Sequence, residues 1–234
     1  MLFMLLENNM PVDEVVFVDT GAEYPELYRH VERVKSHLPK GIRFTMLKPD
    51  HDFFSYVLLP IRKRGKYKEK NWPYGFPSPK RRWCTGFLKI TPQRRYKRHL
   101  ASRGESVIMY VGLSSEEKHR LPRCPNPNIL YPLIETFKTT SRENLRYCYR
   151  LGFDWNGAYE YVSRLSCYPC FLSSMHNLRY LYYKHPNLWE RIIEAERCLK
   201  SMGCPFWQFK PNISAEELDR RFRSQPWLFS SLLK

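Results

Sequence analysis

Apolar and polar positions along the chain fall into short blocks whose periods change from strand to helix and back. Leu2, Phe3, Met4, Leu5 and Leu6 form an apolar block closed by Glu7-Asn8-Asn9, and read as the tail of a buried helix. Val15-Val16-Phe17-Val18 is an uninterrupted apolar run that empties into Asp19-Thr20-Gly21. That pattern predicts a buried parallel strand leading into a polar loop. From Pro25 onward, Leu27, His30, Val31 and Val34 recur on one helical face, until Pro39-Lys40-Gly41 stops the helix. Residues 42–47 predict the next strand and residues 52–59 a helix. Residues 107–111 predict a further strand ending at Gly112, followed by a polar segment over 114–120 and an apolar one over 129–134.

The remainder predicts helices with recognisable ends. Thr140 with Glu143 spells a capping box and Gly152 closes that helix. Asn187 with Glu190 predicts the start of another, ending at Gly203, and Ser214 with Glu217 the start of the last. The strand–helix alternation predicts an α/β fold on an open parallel sheet over residues 1–135, with a helical, cysteine-containing region over 136–234. No internal repeat is visible.

Composition narrows the function. With 234 residues the chain can bury a proper core. A net charge of +16 favours anionic partners: a nucleotide, nucleic acid or an acidic surface. A basic surface that serves solubility alone is the bland alternative. Residues 62–103 hold fifteen Lys or Arg against the single acid Glu69, interleaved with Tyr67, Trp72, Tyr74, Phe76, Trp83 and Tyr96. Such a segment suits a loop that wraps an anion, offering charge and stacking surface together. Charge alone does not separate a small phosphorylated ligand from a polynucleotide. No run reaches the roughly 18 apolar residues of a membrane span, and residues 1–6 lack the positive flank of a signal peptide. Seven cysteines without a secretory signal therefore imply a reducing, cytoplasmic setting.

Cys167-Tyr168-Pro169-Cys170 places two thiols in one turn, half of a metal or cluster site. A redox dithiol and purely structural thiols are the other readings. Cys84, Cys124, Cys148, Cys198 and Cys204 are the candidates for completing a site, and Cys148, on an apolar helical face, equally fits a core thiol. Asp19, at the carboxyl end of an apolar strand, stands where open α/β sheets bind ligands. Thr20 and Gly21 would add a hydroxyl and a backbone N–H, although Asp19 also fits a plain turn or cap. Gly112 repeats the pattern at a second strand end, where Arg120 could meet a phosphate or sulfate with Glu117 orienting it. An exposed charged turn is the alternative for Arg120.

These segments resemble the phosphoadenosine phosphosulfate (PAPS) reductase-like family. The resemblance lies in Val18-Asp19-Thr20-Gly21 with Tyr24-Pro25-Glu26, Cys84-Thr85 with Leu88-Lys89-Ile90 and Pro92, and Gly112 with Glu117 and Arg120. Gly152-Phe153-Asp154-Trp155, Tyr159 and residues 164–170 are similar to its cysteine-bearing branch, so the likeness covers roughly residues 1–195. It implies an adenine nucleotide alpha-hydrolase-like fold binding ATP or PAPS at the carboxyl edge of the sheet. Asp19, Thr20 and Gly21 would line the nucleotide, with Gly112 and Glu117 at the second strand end. Lys89 and Arg120 would approach the phosphate or sulfate. Cys84, Cys148, Cys167 and Cys170 would hold zinc or an iron–sulfur cluster.

The chain departs from the family twice. A Ser-Gly-Gly-x-Asp-Ser type loop is absent, Met1 lying inside the helix this loop would precede, so phosphate affinity and turnover are expected to be low. The Glu-Cys-Gly type tail motif of the reductases is absent too. Sulfonucleotide reduction, sulfur transfer and nucleotide activation all remain open as reactions. The competing readings are a basic nucleic-acid-binding module stapled by cysteines, and an inactive remnant of the enzyme. A second copy of the chain, or a redox or sulfur-relay protein, would be the protein partner.

Overall fold

The computed structural model describes residues 1–61 and 71–225. They form nine α-helices and four short strands, joined by one π-helical and two 3-10 turns. The fold is α/β. In chain order the elements are α1 (Leu2–Glu7), β1 (Glu14–Val18), α2 (Pro25–Ser36), β2 (Arg43–Leu47), α3 (Phe53–Leu58) and a π-helical turn (Thr85–Ile90). Then come α4 (Thr91–Ser102), β3 (Met109–Tyr110), a 3-10 turn (Ser115–Arg120), β4 (Ile129–Leu130), α5 (Pro132–Glu135) and α6 (Ser141–Arg150). A second 3-10 turn (Trp155–Glu160) leads to α7 (Met175–Lys184), α8 (Pro186–Ser201) and α9 (Ala215–Ser224).

The chain forms two compact units interleaved along the sequence. Unit 1 comprises Met1–Phe17, Arg29–Met46 and Gln93–Asn156; unit 2 comprises Val18–Tyr28, Leu47–Pro92 and the described residues from Gly157 onward. In place of the single open sheet that the strand pattern predicts, the described residues hold two two-stranded sheets, β1–β2 and β3–β4. β3 pairs with β4 in parallel, Met109 opposite Ile129 and Tyr110 opposite Leu130. β1 and β2 also run in one direction. The Arg43 N–H donates to the Asp13 carbonyl at 3.0 Å, and the Asp19 N–H to the Leu47 carbonyl at 2.9 Å. The expected burial of β1 is incomplete, Val16 standing 42% exposed. The strand expected over 107–111 shrinks to two residues, with Ile108 exposed.

Helix ends follow the sequence closely. Asp52 caps α3 by accepting from the Ser55 N–H at 2.7 Å, and Thr140 and Glu143 form the reciprocal capping box of α6. The start of α8 differs from the Asn187 expectation. His185 takes the cap position and Pro186 the first turn, where a missing N–H and a fixed φ carry no penalty.

The core of unit 2 is the packing of α7, α8 and α9 on one another and of α3 on α8. Leu178, Leu181, Ile192, Leu199, Leu218 and Phe222 are all but fully buried there. Each such side chain contributes about 1.5–3 kcal/mol on leaving water. Glu196 sits among them, accepting from the Phe209 and Ala215 N–H groups and so fastening the segment after α8. Three of the six aromatics expected to offer stacking surface are instead core, while Trp72 and Tyr96 are half-buried. Tyr74, Phe76 and Trp83 are buried, and the Trp83 indole donates to the Gly75 carbonyl at 3.2 Å. Burial of those rings offsets the cost of ordering a charged, proline-rich stretch. Arg62 to Lys70, with Tyr67 and Glu69, lie outside the described residues.

Unit 1 buries Leu5, Val31, Leu100, Leu133 and Phe153. Phe3 stacks on Phe153 at 4.9 Å and His30 on Trp155 at 4.2 Å.

Candidate functional site

β1 delivers the chain to Asp19 in unit 2, and the loop after it folds on its own side chains. The Asp19 carboxylate accepts from the Gly21 N–H at 2.8 Å and from the Tyr28 hydroxyl at 2.6 Å. Thr20, with no exposed surface, donates its hydroxyl to Glu23 at 2.8 Å, and its carbonyl accepts from the Phe53 N–H at 3.0 Å. The donors that Thr20 and Gly21 were expected to offer a ligand are therefore engaged within the loop. Gly21 is required here: its φ is +73°, and a Cβ would stand 2.6 Å from that of Asp52.

The same loop docks the cysteine turn. The Ala22 carbonyl accepts from the Tyr168 N–H at 2.9 Å, which seats the residue between Cys167 and Cys170. The buried Tyr168 ring packs edge-on to Tyr24 and stacks with Phe54. The π-helical turn then aims Lys89 at this place. π turns of this kind recur at functional sites because the extra residue re-aims a side chain. Lys89, Cys167 and Glu23 lie near enough to shift one another's proton affinity, so a cation, a thiol and a carboxyl converge.

Burial raises the Glu23 carboxyl above its usual range, against the opposing Lys89 charge. Burial, reinforced by Glu23 and opposed by Lys89, pushes the Cys167 thiol up to about 12. Burial pulls Lys89 down, but the negative forms of Cys167 and Glu23 outweigh it and hold the amine above its ordinary value. At neutral pH the group is an ammonium beside a protonated thiol.

The expected metal set is not assembled. All seven cysteines are free thiols. Cys84, Cys167 and Cys170 belong to unit 2, whereas Cys148 belongs to α6 of unit 1. Among the described residues no group of three or more His, Cys, Asp or Glu side chains is gathered to hold a metal ion. Burial also raises the Cys84 and Cys148 thiols.

Gly112, Glu117 and Arg120 lie in unit 1. Gly112 is exposed beyond β3. Arg120 pairs with Glu117, and Glu117 also closes a capping box on Ser114. Partial burial opposes ionisation of Glu117, but Arg120 and Ser114 hold its carboxyl below the usual range.

One contributor is only weakly marked in the sequence and another is not marked at all. Glu23 has no motif around it beyond Thr20 three residues earlier. Lys210, far along the chain, donates to the Phe171 and Ser173 carbonyls at 3.0 and 2.8 Å, behind the cysteine turn. Beside that turn, Arg164, Ser166, Cys170, Ser173 and Asn177 help line a cavity of about 130 Å³.

The model of the phosphoadenosine phosphosulfate reductase domain matches residues 1–121, which include Asp19, Glu23, Cys84, Lys89 and Arg120. The chain belongs to this family. An uncharacterized protein of Methanocaldococcus jannaschii is 26% identical over 186 residues, an alignment covering 76% of this chain and 35% of that protein. The chain thus spans about a third of the length of the curated relative it matches. Membership implies the α/β nucleotide-hydrolase-like fold class. No helix among the described residues is long and apolar enough to cross a membrane.

Proposed function

We propose that this chain binds an adenylyl or phosphosulfate nucleotide beside Lys89. In this reading it handles the nucleotide's phosphoryl or sulfuryl group in sulfonucleotide reduction, sulfur transfer or nucleotide activation. The observation that carries the reading is the convergence of Lys89, Cys167 and Glu23 where the strand-end loop docks on the cysteine turn. An ammonium held in a half-buried position can stabilise charge developing on a transferred group. Asp19, Thr20 and Gly21 shape the wall of the site through their mutual bonds rather than by donating to the phosphates.

Calorimetric titration with ATP, PAPS and adenosine tests this. Lys89→Ala should weaken ATP and PAPS by about tenfold or more, the loss of one charge-assisted contact, and leave adenosine unchanged. Equal losses for all three, or no nucleotide binding by the wild type, would overturn the assignment.

A further inference from the structure

The outward face of α4, in unit 1, has a charge pattern that helix physics disfavours. Its twelve residues, TPQRRYKRHLAS, contain no acid, and its first turn carries none. Arg94 and Arg98 stand one turn apart on the face opposite Tyr96 and Leu100, a like-charged pair that repels. Leu100 is buried and the Tyr96 hydroxyl donates to Glu14 at 2.7 Å, which fixes the helix and therefore which side faces out.

The neighbouring acids do not neutralise this face. Glu14 pairs with Arg43, and Glu105 with Arg43 and Arg103. Among the described residues, the side chains of Arg94, Lys97 and Arg98 make no ion pair or hydrogen bond. Three uncompensated cations on one ordered helix raise the local concentration of a polyanion.

We propose that this face of α4 docks the phosphate backbone of a nucleic acid. Two features of the face select that occupant. It has no large apolar side chain to enter a lipid headgroup layer and none to anchor the core of a protein interface. It presents only charge, in a row, which is what a repeating phosphate chain meets. The proposal is independent of the nucleotide site in unit 2.

The experiment measures binding of the full chain to a labelled RNA hairpin and a DNA duplex by fluorescence anisotropy, across about 50–200 mM salt. Affinity should fall steeply with salt. In the triple variant Arg94→Ala, Lys97→Ala, Arg98→Ala the log–log slope should become shallower by about 2.7, at about 0.9 per lost phosphate contact. The charge-conserving variant Arg94→Lys, Arg98→Lys should keep the wild-type slope. ATP titration of the triple variant should match wild type and its thermal midpoint should be no lower, which separates failure here from failure of the nucleotide site. An unchanged slope in the triple variant would overturn the proposal, as would equally tight binding to polyglutamate or to phosphatidylserine vesicles.

Discussion

Glu23, Lys89 and Cys167 come from distant stretches of chain, and each alters the others' proton affinity once folding brings them together. The Glu23 charge raises the Cys167 thiol, so Glu23→Gln should lower that pKa and speed alkylation. In wild type, peptide mapping after iodoacetamide treatment near pH 8 should find the exposed Cys124 and Cys198 modified well before Cys167. In Glu23→Gln, Cys167 should react several-fold faster, with the rise of its pH–rate profile moved to lower pH. An unchanged Cys167 rate would mean that the two groups are not coupled. Gly75 is a backbone counterpart of such residue-level constraint. Its φ is +64° and a Cβ would stand 2.4 Å from the Phe206 carbonyl oxygen, so no side chain fits without moving that backbone.

At the scale of elements, the helices carry most of the order, and α8 carries the most consequential polar group. Glu196 is 2% exposed, and burial pushes its carboxyl up to about 7 although three backbone N–H groups draw it down. A carboxyl whose folded pKa is raised contributes stability at pH values below its unfolded pKa. That contribution is lost as pH rises through about 7. Urea unfolding at pH 5 and pH 8 should show this share of the pH dependence in wild type and not in Glu196→Gln. The variant should also lose about 1–3 kcal/mol at pH 5, since its amide turns a donor towards the Phe209 or Ala215 N–H. His30 in α2 works in the opposite sense. Burial against its aromatic neighbours, with Arg33 nearby, lowers it to about 4, so its share of stability is present above about 6.5 and fades on acidification.

For the whole molecule, the decisive feature is that neither unit is a continuous stretch of sequence. Unit 1 needs residues 136–156, whose Phe153 and Trp155 pack on Phe3 and His30. A fragment of residues 1–135 should therefore show no cooperative thermal transition by circular dichroism, where the full chain should show one. A sharp transition in the fragment would mean that the interleaved division misstates what folds together.

What the sequence determined by itself is mostly local. Caps at Asp52, Thr140 and Ser214, the turn at Gly152, the strand–loop junction at Asp19 and the basic composition depend on residues a few positions apart. So does the family, whose motifs are short and ordered along the chain. The tertiary structure decided the rest, because burial and charge proximity depend on residues far apart in sequence. It sent Tyr74, Phe76 and Trp83 to the core rather than to a ligand, since ring burial outweighs stacking in water. It spent the Thr20 and Gly21 donors inside their own loop, because polar groups enclosed there must find partners. It also divided the four chosen thiols between two units and set Lys89 and Glu23 against Cys167 instead. Residue spacing along one chain carries no record of those distances.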